Sequence, residues 1–176
     1  MDNIKSKIRT VPDFPSKGIM FRDVTTLLLD PDGLKDVIRT MAGHWANRGI
    51  TKIVGIDARG FIIGGALAYD MQIGFVPVRK KGKLPPETVS ENYVLEYGED
   101  SLEILKISLD ENDCVLIVDD IIATGGTAEA SVKLVRGLGA SVLGCAFVID
   151  LPDLDGMDKL KALGVECHAL CAFEGH

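Results

Sequence analysis

Cysteine is sparse in this chain of 176 residues: there are four, and no two stand as C-x-x-C. That excludes the paired thiols of zinc ribbons and dithiol redox motifs. Cys167, His168 and Cys171 sit close together, but in an alternating apolar segment where buried structural thiols are the better reading than a zinc site. Positive charge is also short, with 19 Lys and Arg against 26 Asp and Glu and a net charge of −7. A surface of that sign argues against nonspecific nucleic-acid binding, yet leaves room for a small anion at a local basic cluster. No apolar run approaches membrane-spanning length, and the first residues carry no signal-peptide pattern. The expectation is therefore a cytoplasmic protein in a reducing setting, with no nucleic acid and no membrane as partner. There is no G-x-G-x-x-G, and no Lys follows the Gly125-Gly126 pair as a nucleotide-kinase loop requires. No internal repeat or linker interrupts the chain, so residues 1–176 read as a single domain, with 47% hydrophobic residues to fill a core.

The chemistry concentrates in Val115-Leu116-Ile117-Val118-Asp119-Asp120-Ile121-Ile122-Ala123-Thr124-Gly125-Gly126-Thr127. Val115 to Val118 has the length and composition of a strand buried on both faces. Asp119 and Asp120 follow at its C-terminal end, the edge where ligands bind in open α/β sheets. Ala123, Thr124, Gly125, Gly126 and Thr127 then lead into the helical pattern Ala128, Val132, Val135, Leu138. Glycines let successive N–H groups turn inward and a helix N-terminus adds partial positive charge, which suits a phosphate monoester. Two carboxylates would repel that phosphate, so they face something else: vicinal hydroxyls, a metal-bound diol or a developing cation. A phosphate cradle beside two hydroxyl acceptors describes a 5-phosphoribosyl group. An ordinary turn accounts for an isolated Asp-Asp or Gly-Gly; the ordered combination is more specific.

Along the rest of the chain, Ile4 to Arg9 reads as a short helix. Val11 to Leu28 reads as irregular, because two prolines and a glycine interrupt it, and as a flap anchored in the core by Phe14 and Ile19. Phe21-Arg22-Asp23 is open between packing and a place beside a planar base. Asp30-Pro31 starts a helix with Leu34, Val37, Ile38, Met41, Ala42 and Trp45 on its core stripe, His44 being packed or on the surface. Lys52–Ile56 and Gly74–Val78 are strands on either side of a Phe61–Asp70 helix, which indicates a parallel sheet with right-handed crossovers. Arg59, in the turn Asp57-Ala58-Arg59-Gly60, shares the sheet edge with the acid pair; it suits a diphosphate or a salt bridge to a nearby Asp. Arg79-Lys80-Lys81-Gly82-Lys83 is the basic cluster, read as an anion funnel because it directly follows a strand, where elsewhere such a run would be a solvated face. Leu84 to Thr88 opens a long loop, and Tyr93–Gly98 with Leu102–Ile107 alternate as the arms of a hairpin that reads as a lid. Ser141–Ile149, a short helix closing at Leu160–Gly164, and the strand Val165–Phe173 complete the chain.

These stretches resemble the adenine phosphoribosyltransferases of the type I phosphoribosyltransferase family over nearly the whole sequence. Asp119 to Thr127 is similar to the family's phosphoribosyl diphosphate signature, and Gly55-Ile56-Asp57-Ala58-Arg59-Gly60-Phe61 to its diphosphate loop. Phe14-Pro15 with Gly18 to Asp23 resembles its base-covering hood. Arg79 to Pro85 and Tyr93 to Gly98 resemble its lid. The resemblance implies an α/β fold: a parallel twisted sheet flanked by helices, with an N-terminal hood over roughly residues 11–29 and a mobile hairpin lid over roughly residues 80–101. It implies transfer of 5-phosphoribosyl from its 1-diphosphate to N9 of adenine, giving AMP and diphosphate, with magnesium (Mg2+) held mainly by substrate oxygens and waters. Glu96, Asp119, Asp120 and Arg59 take the catalytic roles, and Asp119, Asp120 and Ala123 to Thr127 hold ribose 5-phosphate or AMP. Asp57, Ala58, Arg59, Lys80 and Lys83 hold diphosphate; Met20, Phe21 and Arg22 hold adenine, chiefly by backbone groups around Met20 and Arg22. The resemblance further implies a homodimer, and a non-proline cis peptide within Ile56 to Arg59, at Asp57–Ala58. Two competitors stay open: an oxopurine phosphoribosyltransferase, and a regulator that keeps the fold to sense the donor, although such regulators carry an output module absent here.

Overall fold

The β-branched run from Val115 becomes β7 (Cys114–Ile122), the middle one of the five parallel strands in a seven-stranded sheet. The computed structural model describes residues 2–94 and 99–175; Glu96 lies outside the described residues. Parallel to β7 on one side run β3 (Lys52–Ile56) and then β4 (Gly74–Lys80). On the other side run β8 (Ser141–Asp150) and β9 (Glu166–Ala172), also parallel. β7 is therefore covered on both faces, and its side chains alternate between two cores. Val115 and Ile117 pack with Val132 and Val135 of α5 (Gly126–Gly137). Leu116 and Val118 pack with Val37, Met41 and Trp45 of α3 (Pro31–Trp45) and with Ile63 and Leu67 of α4 (Arg59–Met71). Each such side chain contributes about 1.5–3 kcal/mol of transfer free energy. The alternation is lost at the acid pair, since Ile121 packs on the same side as Val118 three residues before it.

The helix expected after Asp30 forms as read. The Asp30 carboxylate accepts the Asp32 N–H at 3.1 Å, and Pro31 occupies the first position, where a missing N–H costs nothing. Other elements differ in extent. The leading helix α1 covers Asp2–Ser6, because the chain from Arg9 is claimed by a strand. The segment read as irregular contains an antiparallel ribbon, β1 (Arg9–Pro12) with β2 (Met20–Asp23), followed by α2 (Thr25–Leu29). The Arg9–Asp23 ion pair, at 2.7 Å, sits at one end of the ribbon's register. Phe14 and Ile19, expected as core anchors, are instead exposed at the ribbon's tip, Phe14 by 52%. Phe14 packs edge-on against Phe21 with centroids 5.1 Å apart, away from both cores. The last helix, α6 (Gly156–Ala162), begins before Leu160, its buried residue nearest the C-terminal end.

The hairpin read as a lid consists of β5 (Thr88–Val94) and β6 (Glu99–Leu105), and it extends the sheet at the β4 edge. Its arms pair continuously with each other from Thr88↔Leu105 to Val94↔Glu99. It is joined to the body by Arg79↔Glu103 and Lys80↔Leu102, the register pairs between β4 and β6, and by Tyr93, Leu102 and Ile104, which are buried in the core that holds Val132 and Val135 of α5. Among the described residues no helix is long and apolar enough to cross a membrane. The four cysteines are free, with Cys145 buried between the strands.

Candidate active site

The strands of the sheet stop at different heights, and that creates the site. Pairing of β3 with β7 ends at Gly55↔Val118, whereas β7 and β8 continue to Ile122↔Asp150. Asp119 and Asp120 thus rise past the end of β3. The turn after β3 fills this step: the Asp57–Ala58 peptide is cis, at the position the resemblance implied, and Arg59 opens α4. Arg59 Nε lies 2.5 Å from Asp120 Oδ2, so the salt bridge weighed for this arginine is present, while 44% of its side chain stays exposed at the sheet edge. Burial works to lower the Arg59 pKa, but the hydrogen bond and charge of Asp120 outweigh it and hold the guanidinium above its usual value. The Asp120 N–H donates to Asp119 Oδ1 at 2.9 Å. Burial, and then the neighbouring Asp120 charge, push the Asp119 carboxyl well above the ordinary carboxylate range.

Beyond β7 the loop Ala123–Gly125 turns into α5, with Gly125 at φ 76°, a left-handed geometry that favours glycine. No side chain caps the start of α5, so its first N–H groups remain available to an anion. Thr124 is exposed and Thr127 half-buried beside them. A cleft of about 220 Å³ is lined by Asp57 to Arg59, by Tyr93, and by Asp119 to Ala128. The acid pair, the small-residue loop and the diphosphate turn therefore open on one cavity.

The basic cluster surrounds that cleft without lining it. Arg79 Nε donates to Asp57 Oδ2 at 3.0 Å, and its Nη1 donates to the Lys83 carbonyl at 3.3 Å. Lys80 Nζ lies 3.3 Å from Asp100 Oδ2, and both Lys80 and Lys83 are exposed. Tyr93, absent from the sequence-derived site, lines the cleft from β5 and donates its hydroxyl to Asp100 Oδ2 at 3.1 Å. Burial, then Asp100, push its phenol up to about 12. Arg79 was legible only as part of a basic run; its partner Asp57 is twenty-two residues away and becomes adjacent through the parallel β3–β4 register.

Met20, Phe21 and Arg22 lie on β2, outside the lining of this cleft. The Arg22 guanidinium is directed to the opposite end of the chain: it donates to Thr10 Oγ1 at 2.7 Å and to the carbonyls of Glu174 and Gly175 at 3.0 and 2.9 Å. It also lies 4.7 Å from the Phe173 ring. What β2 can offer a planar base is consequently its backbone and the Phe21 ring. Asp23, at the end of β2, accepts the Thr25 N–H at 3.0 Å and pairs with Arg9, which holds β2 to α2 and to β1.

Comparison with known proteins agrees with this geometry. The model of the phosphoribosyl transferase domain family matches residues 23–168. The adenine phosphoribosyltransferase of Roseobacter denitrificans is 54% identical over 175 residues, covering 99% of this chain and 99% of that protein. The crystal structure of adenine phosphoribosyltransferase from Thermoanaerobacter pseudethanolicus superposes with a TM-score of 0.93 at 48% identity, covering 98% of this chain and 99% of that one. The Saccharomyces cerevisiae enzyme, complexed with an imino-altritol bisphosphate and adenine, gives a TM-score of 0.91 at 39% identity over 97% of each chain.

Proposed function

The chain belongs to the adenine phosphoribosyltransferases, within the phosphoribosyl transferase domain family, and on that premise we propose that its cleft makes AMP for purine salvage. It transfers 5-phosphoribosyl from 5-phospho-α-D-ribose 1-diphosphate to N9 of adenine and releases diphosphate. The observation that carries this reading is the meeting of two unlike features on one cavity: an uncapped helix start behind Ala123 to Thr127, and the carboxylates Asp119 and Asp120. One suits a 5-phosphate, the other ribose hydroxyls and a positive ring.

In this reading the backbone N–H groups of Ala123 to Thr127 and the two threonine hydroxyls hold the 5-phosphate. Asp119 and Asp120 accept from the 2′- and 3′-hydroxyls. As the bond from C1 to diphosphate lengthens, the ribose gains oxocarbenium character, and fixed negative charge beside it stabilises that state more than the ground state. Arg59, Lys80 and Lys83, with the backbone of Asp57 and Ala58, neutralise the departing diphosphate. Arg59 and Lys80 must then exchange a protein carboxylate for a phosphate oxygen, since Arg59 is paired with Asp120 and Lys80 with Asp100. The Phe21 ring covers the base, and backbone groups around Met20 and Arg22 read its polar edge. Glu96, in the connection between β5 and β6, takes or relays the adenine proton; this role rests on the resemblance, because Glu96 lies outside the described residues.

Magnesium fits the residues present. Hard oxygen groups, Asp119 and Asp120, line the cleft beside the proposed diphosphate turn, and they can receive the waters of an ion that the substrate itself carries. Bound there, Mg2+ would neutralise diphosphate charge. The active form is proposed as a homodimer in the cytoplasm, with the whole chain as one catalytic domain. In favour of self-association, α4 presents Ile62 and Tyr69 to solvent, 52% and 87% exposed, on one helical face. Sedimentation of the purified protein tests that directly.

The test of the activity is AMP formation from the donor with adenine, run in parallel with hypoxanthine, guanine and xanthine. Adenine presents an amino donor where the oxopurines present an acceptor, so a preference for any oxopurine would overturn the assignment.

A further inference from the structure

Behind the proposed phosphate loop stands a residue that neither the acid pair nor the loop signature includes. β8 continues past Asp150 into a 3₁₀ turn, Pro152–Leu154, and then into α6, whose first residue is Gly156. The Leu151 N–H donates to the Ile122 carbonyl at 3.0 Å, which draws this connection against the end of β7. Gly156 arrives in backbone contact with the loop. A Cβ built on it would lie 2.1 Å from the Ala123 carbonyl oxygen, 2.8 Å from Ile122 Cγ1 and 2.9 Å from the Gly125 nitrogen. The contact is reciprocal, because a Cβ on Gly125 would meet the Gly156 carbonyl oxygen at 3.0 Å and its Cα at 3.1 Å. Gly156 does not adopt a left-handed φ, in contrast to Gly125 at 76°. Its own backbone conformation would accept alanine; its neighbour forbids one.

We propose that Gly156 is a positioning residue for the phosphate loop, fixing the depth at which Ala123 to Thr127 lie and hence the width of the 5-phosphate cradle. The inference rests on the reading of that loop as the 5-phosphate site. A methyl group at Gly156 faces two backbone atoms, which cannot rotate away as a side-chain end can. The Ala123 carbonyl and the Gly125 N–H must therefore retreat together, toward the cleft, by on the order of 1 Å, and misplacements of that size are costly at a site built for one geometry. The hood does not share this contact, and among the three nearest atoms the sheet core enters it only through Ile122 Cγ1. The loss should fall on phosphate-bearing ligands and spare the free base.

The experiment compares Gly156→Ala with the parent and with Gly43→Ala, a control on α3 whose added Cβ meets nothing within 4 Å. Ribose 5-phosphate, AMP and adenine are titrated calorimetrically against each protein, and steady-state constants are measured for the donor and for adenine. In Gly156→Ala we expect the donor KM to rise roughly tenfold or more. Ribose 5-phosphate and AMP should weaken by a similar factor, while the adenine KM, the near-UV circular dichroism and Gly43→Ala stay at parent values. Unchanged ribose 5-phosphate and AMP affinities would overturn the proposal, and so would an equal loss for adenine. Failure of Gly156→Ala to fold would overturn it too, by placing the residue in service of the whole fold. A parent protein that binds ribose 5-phosphate but makes no AMP would instead count against the proposed reaction and leave the role of Gly156 standing.

Discussion

Arg59 and Asp120 hold each other across the step at the sheet edge, Nε to Oδ2 at 2.5 Å, with the Asp120 side chain only 5% exposed. The arginine comes from the first residue of α4 and the aspartate from β7, so the pair depends on β7 outrunning β3. It joins the group proposed to meet diphosphate to a group proposed to meet the ribose, and anything that alters one is felt by the other.

Asp120→Asn keeps the side-chain shape and an acceptor for Arg59 but removes the charge. Loss of one such electrostatic contact costs about 3 kcal/mol in the barrier, roughly a hundredfold in turnover. The thermal midpoint should move little. Near-parental turnover in this variant, measured by AMP formation, would remove Asp120 from the mechanism.

Tyr93 should resist ionisation. Its phenol is pushed up to about 12 by burial and by the hydrogen bond to Asp100, whereas Tyr69 is 87% exposed. A spectrophotometric titration should show a tyrosine that stays protonated beyond pH 11 or so, and Tyr93→Phe should delete that late phase. Removing the hydroxyl should cost about 1 kcal/mol of stability in urea.

Asp113 supplies a pH-dependent part of the stability. Burial alone would raise its pKa, but Lys52 Nζ at 2.8 Å and the Thr51 hydroxyl at 2.8 Å hold it below the usual 3.8. Its contribution is therefore complete above the unfolded value and is lost as pH falls through the lower folded value. Asp113→Asn should be less stable than the parent by about 1–3 kcal/mol at neutral pH, and the two curves should converge as pH falls below the usual carboxylate value and through the lower folded one. A gap that persists in acid would mean that the charge is not the source.

The hairpin should move as a unit. Its arms pair from Thr88 to Leu105, so release of the two register pairs to β4 and of the Leu102 and Ile104 packing on the core would leave the hairpin itself intact. Cleavage within residues 80–101 should be faster without ligand than with donor plus an unreactive adenine analogue. Glu96→Gln should bind the donor and gain the same protection, yet turn over slowly. Equal cleavage in both conditions would make the hairpin a fixed part of the sheet.

Much of this architecture was written in local pattern. The strand from Val115, the helix from Asp30 and the parallel order around them follow from apolar spacing and caps, which are short-range signals. The loop Ala123 to Thr127 was legible because glycines, threonines and the following helix pattern are contiguous. What sequence could not reveal depends on contacts between distant segments. The ribbon of Arg9–Pro12 with Met20–Asp23 is set by pairing across a proline-rich tip, so it read as irregular. Phe14 and Ile19 looked like core residues because hydrophobicity does not say which side of a ribbon is wet. The turn of the Arg22 guanidinium toward Glu174 and Gly175 joins the two ends of the chain, a relation no window of sequence contains. Tyr93 enters the cleft by the same kind of long-range folding.

The carboxylates beside the basic groups also decide how a polyanion first meets this protein. Asp120, Asp100 and Asp57 neutralise Arg59, Lys80 and Arg79 at contact distance. At low ionic strength, where the Debye length reaches about 30 Å, what a distant ligand meets is the field of a chain with net charge −7. A donor carrying several negative charges then approaches against mild repulsion and finds attraction at Arg59, Arg79 and Lys80 only on displacing those carboxylates. Arg79 and Lys80 are in that sense short-range exchangers, while the exposed Lys81 and Lys83 of the same run are what it keeps as a funnel. Diffusional encounter with the donor should accelerate as ionic strength rises from low values, the reverse of the salt dependence that marks electrostatic steering into a basic cleft.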